Sequence, residues 1–96
     1  MKIRVKGYLT LKKLMGDKAE ISLEIENTTI KGVLELLSQR FGQDFKNSIF
    51  NPKTKEVHSH IKVLVNGRHY HNLPDRLDTR LKEGDEVALF PPVAGG

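Results

Sequence analysis

Two runs of alternating charged and apolar residues, one stretch with helical spacing after them, and a return to alternation near the end predict an α+β domain. In that reading a mixed sheet of four to five strands carries one main helix on one face. The first run, KIRVKGYL, puts Ile3, Val5 and Leu9 on one side and Lys2, Arg4 and Lys6 on the other, as a half-buried strand requires. EISLEIE repeats the pattern, with Ile21, Leu23 and Ile25 inward and Glu20, Ser22, Glu24 and Glu26 outward. A hairpin through the loop around Met15, Gly16 and Asp17 would set the basic outer row beside the acidic one, a favourable cross-strand match.

The period then changes. Asn27, Thr28 and Thr29 offer N-cap side chains, and Ile30, Val33, Leu34, Leu37 and Phe41 follow at helical spacing before Gly42 stops the run. Lys31, Glu35, Ser38 and Gln39 form its polar face, and Gly32 weakens it slightly. In the stretch 43–59, Phe45, Ile49 and Phe50 suggest a short helical turn capping the core, and NPKTKE reads as turn and loop. HIKVLVNG is a strand with Ile61, Val63 and Val65 inward, and Asn66-Gly67 is a type I′ hairpin signal into a short strand, RHYH. A compact turn through Leu77 and Leu81 leads to the last strand, DEVALF. If that strand lies parallel to the first, its end emerges at the sheet rim and a tail, residues 91–96, leaves the body formed by residues 1–90.

Composition narrows the function. Ninety-six residues, 38% hydrophobic and 29% charged, make one domain. The absence of cysteine excludes disulfides, thiolate metal sites and cysteine nucleophiles. No signal peptide or membrane span is readable, so the expected compartment is the cytoplasm. The net charge of +4 comes from dispersed lysines and arginines without an aromatic-and-basic stacking motif, which favours a solvated basic surface over nucleic-acid binding. Ser, His and Asp fall in no recognisable catalytic arrangement.

The tail carries the sharpest signal. Pro91 and Pro92 cannot donate to a sheet ladder and impose an extended path, Val93 and Ala94 are small, and Gly95 and Gly96 have no side chain. Six extended residues reach about 20 Å, thin enough to thread a narrow channel in another protein. Their one reactive group is the terminal carboxylate, which at a pKa near ~3.5 is ionised and a poor electrophile until another enzyme activates it. Adenylation would supply a leaving group, after which a sulfur or amine nucleophile could take the acyl carbon. Small residues at a chain end are often inert. A double glycine directly after a strand and a Pro-Pro stiffener is a narrower pattern.

Together, KIRVKG, TIKGVLELL, VNG and LDTRLKEGDEVALFPPVAGG resemble the MoaD/ThiS family of ubiquitin-like sulfur carriers over nearly the whole chain, nearest the branch of the molybdopterin synthase small subunit. The length of segment 43–59 argues for that branch over the shorter thiamin-type carriers. The resemblance implies a ubiquitin-like β-grasp fold and a carrier that is not itself an enzyme. It implies that Gly96 is adenylated by an E1-like adenylyltransferase using ATP, then thiocarboxylated with sulfur from a sulfur-donating enzyme. The sulfur would be delivered inside the large subunit of molybdopterin synthase for molybdenum or tungsten cofactor biosynthesis. Gly95 would permit entry, and Phe90, Pro91, Pro92, Val93 and Ala94 would lie along the partner's groove. No cofactor is expected on the chain itself. The alternatives are a ubiquitin-like modifier conjugated through Gly96 to lysines, a thiamin-type or other biosynthetic carrier, and a basic interaction module with an inert tail.

His58, His60, His69 and His71 form a second candidate. If Leu64 faces His69 and Lys62 faces His71 across the hairpin, all four share one sheet face, with His60 diagonal to His71. A divalent metal site, a pH-sensitive patch and a solvated face compete for that pattern. No carboxylate is placed to complete a metal shell and Lys62 sits among the rings, so no metal is expected.

Overall fold

The computed structural model describes residues 1–92. Its elements run β1 (Lys2–Gly7), α1 (Leu9–Leu14), β2 (Glu20–Glu24), α2 (Ile30–Phe41), α3 (Gln43–Ile49), β3 (Lys62–Val65), β4 (Arg68–His69) and β5 (Glu86–Phe90), with short 3₁₀ turns at Tyr70–Asn72 and Arg76–Asp78. The five strands form one mixed sheet in the order β2-β1-β5-β3-β4. β1 pairs antiparallel with β2 and parallel with β5, and β5 pairs antiparallel with β3. The α+β class and the β-grasp architecture are those the sequence implies.

Alternation decides which face is dry. Ile3, Val5, Ile21, Leu23, Val63, Val65, Val87 and Leu89 point to one side and join Ile30, Val33, Leu34 and Leu37 of α2 in a single core. Thr29 caps α2, its hydroxyl accepting from the Gly32 amide at 3.1 Å, and Gly42 ends the helix at φ +95°. Gly32 has a positive use that its low helix propensity hides: a Cβ there would collide with the buried Thr28 hydroxyl. α3 packs on α2 through Phe45, fully buried, with its ring 5.7 Å from that of Phe41. The capping turn expected around Phe45 and Ile49 is thus a seven-residue helix, and Phe50 bridges back to Val57.

Two local expectations are corrected. The stretch between β1 and β2 is not only loop: Leu11 and Met15, one helical turn apart, are fully buried and fold it into α1. Leu9 therefore leaves the strand pattern and is 60% exposed, while Gly7 takes the inward place with its α-carbon against Met15. Ser38 does not belong to the polar face of α2. It is 8% exposed, and its hydroxyl is satisfied by donating to the Leu34 carbonyl at 2.8 Å. The outer rows of β1 and β2 oppose as expected, Lys2 facing Glu24 and Lys6 facing Glu20, and β5 adds a closer pair, in which Lys6 Nζ lies 2.8 Å from Glu86 Oε1 and holds that carboxyl below its usual range. Arg4 reaches Glu20 only at 3.8 Å.

Candidate functional site: the root of the tail

The tail leaves the middle strand of the sheet. β5 is flanked by β1 and β3, and the ladder with β1 continues one residue beyond Gly7, where the Tyr8 amide donates to the Leu89 carbonyl at 3.2 Å. That bond sets the Tyr8 ring against Phe90. The two stack with centroids 4.3 Å apart and planes 4° from parallel. Both project from the open face of the sheet, as do the half-buried Leu64 and Ala88, which face one another across β3 and β5.

Leu9 extends the apolar surface. It stands at φ +54°, a left-handed conformation that costs a branched side chain about 1 kcal/mol or more, and its side chain faces solvent. Tyr8 is 38% exposed. Among the described residues these two are the large hydrophobic side chains left exposed, and they adjoin in sequence at the base of the tail. An apolar pair kept in water, one member in a strained backbone, is what a docking surface requires and what a core does not.

Behind this platform, Pro91 is buried and Pro92 exposed. They share a groove of about 240 Å³ with Thr10, Leu11 and Ile61, and with His58 and His60 at its edge. The root of the tail is therefore seated between α1 and the segment leading into β3. Phe90 stands on the open face and Pro91 and Pro92 line the groove, while the expected positions Val93, Ala94, Gly95 and Gly96 fall outside the described residues. Tyr8 and Leu9 are site residues that the strand pattern does not point to, since Leu9 reads there as an inward position.

The histidines separate into two pairs. Leu64 faces His69 as expected, but β4 ends there because Tyr70 turns into the core and begins a 3₁₀ turn. The pairing of Lys62 with His71 does not form, nor does the register that would set His60 diagonal to His71. Instead His58 and His60 stack at 5.0 Å beside the prolines, with His58 Nε2 2.9 Å from the Asn47 carbonyl oxygen. His69 and His71 meet at 4.9 Å in a tilted arrangement, and His69 Nδ1 accepts from the His71 amide. His71 lines a different hollow, with Lys31, Tyr70 and Arg76. Among the described residues no three His, Asp or Glu side chains converge as metal ligands. No helix among them is long and apolar enough to cross a membrane.

The chain is similar to known proteins in sequence and in fold. The model of the ThiS family matches residues 9–96. Small archaeal modifier protein 3 of Haloferax volcanii is 32% identical over 96 residues, the full length of both chains. A protein of Archaeoglobus fulgidus whose name provisionally assigns it to the sulfur carriers is 31% identical over 80 residues, covering 83% of this chain and 88% of its own. The solution structure of small archaeal modifier protein 1 from Methanosarcina acetivorans superposes with a TM-score of 0.83 at 29% identity, covering 99% of this chain and 96% of that one.

Proposed function

For this chain, which belongs to the ThiS family of small ubiquitin-like carriers and modifiers, we propose a sulfur-carrier function in which Gly96 is the site of chemistry. The observation that carries the reading is the apolar platform of Tyr8, Leu9 and Phe90 at the root of a tail ending in Gly95 and Gly96. A large activating enzyme grips the platform, and the tail, fixed at Pro91, runs from there into its active site.

The chemistry follows from the terminal carboxylate. Attack of its oxygen on the α-phosphorus of ATP releases pyrophosphate and leaves a mixed anhydride on Gly96. Hydrosulfide, delivered by a sulfur-donating enzyme, then adds at the acyl carbon, expels AMP and gives up its proton, leaving a thiocarboxylate. The chain supplies no catalytic group to these steps; it presents the acyl carbon and excludes nothing sterically, since Gly95 has no side chain. The narrower reading is the small subunit of a cytoplasmic molybdopterin synthase, with a pterin precursor as sulfur acceptor in the large subunit. It is supported by the resemblance of the PPVAGG ending and by the long 43–59 segment that holds α3.

The full-length likeness to a Haloferax modifier favours a second use of the same acyl-adenylate, transfer of Gly96 to a lysine amine. Both uses begin with adenylation. An E1-like adenylyltransferase should therefore catalyse ATP–pyrophosphate exchange with the full chain and lose it when Gly95 and Gly96 are removed. Unchanged exchange with the shortened chain would refute the proposal.

A further inference from the structure

A cationic hollow of about 350 Å³ lies at the end of the sheet away from the tail, and nothing above uses it. Its rim holds Arg68, Arg80 and Lys82, and Val65 and Leu73 contribute apolar wall. The three cations are exposed, and none forms an ion pair among the described residues. The acid in the wall, Asp85, is already occupied: one oxygen accepts from Asn66 Nδ2 at 3.0 Å and the other from the Lys82 amide at 2.8 Å. The Thr79 side chain, also in the wall, carries a buried hydroxyl with no hydrogen-bond partner.

The backbone that presents these cations is fixed from two sides. Asn66 and Gly67, both at positive φ, make the hairpin turn, and Asn66 ties it to β5 by accepting from the Glu86 amide at 3.0 Å. On the other side, Thr79 and Leu81 bond to Ile30 and Thr28 at the start of α2, and Arg80 bridges to Thr29. The ordered frame spares the backbone share of the entropy lost on meeting an anion, and only the side chains' own rotamer freedom remains to be lost.

We infer that this hollow docks a short acidic segment of a partner protein, its carboxylates meeting Arg68, Arg80 and Lys82 and an apolar side chain resting on Val65 and Leu73. Nucleic acid fits less well, because three cations at one spot do not track a phosphate backbone and no aromatic ring lines the hollow for a base to stack on. The hollow sits beside the first residue of β5 and the tail leaves its last, about 13 Å away along the strand. Both surfaces are available at the same time, and the inference stands apart from the chemistry assigned to Gly96.

The test is an amide-resolved NMR titration of the full chain with the peptide EELEE, repeated with a five-residue oligouridylate. The expected result is shifts confined to residues 65–68, 73, 79–82 and 85, weakening with added salt. Arg80→Gln and Lys82→Gln should each weaken binding about two- to fivefold and the pair about tenfold. Lys53→Gln with Lys55→Gln, neither of which lines the hollow, should change nothing, and the spectra themselves report that each variant is folded. Absence of shifts at millimolar peptide, shifts centred elsewhere, indifference to Arg80 and Lys82, or tighter binding of the oligouridylate at these residues would each overturn the inference.

Discussion

Replacing Tyr8 by alanine removes the stack on Phe90 and the partial burial of a large ring. A parallel aromatic pair at 4.3 Å contributes about 0.5–1.5 kcal/mol beyond area burial. More than half of the Tyr8 side chain is covered, worth about 1 kcal/mol more. The expected loss is about 2 kcal/mol, or a fall in Tm of about 8–16 °C for a chain of this size. The informative experiment is the double-mutant cycle with Phe90→Ala, by urea denaturation. If the rings act as a unit, the cycle closes with a coupling of about 1 kcal/mol, since the second truncation finds its partner already gone. In parallel, kcat/KM for adenylation should fall in Tyr8→Ala and be largely retained in Tyr8→Phe, which keeps the stacked ring. Additivity of the two truncations within about 0.3 kcal/mol would refute the account of the stack. Unimpaired adenylation of folded Tyr8→Ala would refute its part in docking.

Phe45→Ala should cost about 3–5 kcal/mol, because the ring is fully buried between α3 and α2; calorimetry or urea melts measure it, and a loss under about 1 kcal/mol would show that α3 is not part of the cooperative core. His69 makes stability pH-dependent. Burial, His71 and Lys62 hold its imidazole below the usual value, so the unfolded chain takes up the proton first as pH falls. Its contribution is fully present above about pH 6.5 and is lost as pH drops from there toward the lower folded value. His69→Gln should flatten the urea midpoint between pH 7.5 and 5, and an unchanged slope would contradict the assignment.

Most of the sheet was legible because its strands keep a strict period of two, and α2 because Ile30, Val33, Leu34 and Leu37 keep the helical one. The parallel pairing of β1 with β5 was a topological inference that the register bears out, Val5 facing Val87. What escaped had competing local signals. Leu9 continues the alternation of β1, which hid the helical spacing of Leu11 and Met15 that wins once both are buried. The RHYH segment alternates well enough for a strand, yet Tyr70 is drawn into the core and turns the backbone before His71 can pair. The platform at the tail was unreadable for a simpler reason: Tyr8 and Phe90 lie near opposite ends of the chain, and only the parallel register brings them together.

The central claim is that Gly96 carries sulfur. Intact-protein mass spectrometry of the chain from its own cells, with fragmentation from the C-terminal end, tests it most directly. The account predicts a species heavier by the exchange of one oxygen for sulfur, the added mass localised to Gly96. The absence of sulfur at Gly96 in every species, whether its carboxylate is free or held in an isopeptide bond, would contradict it.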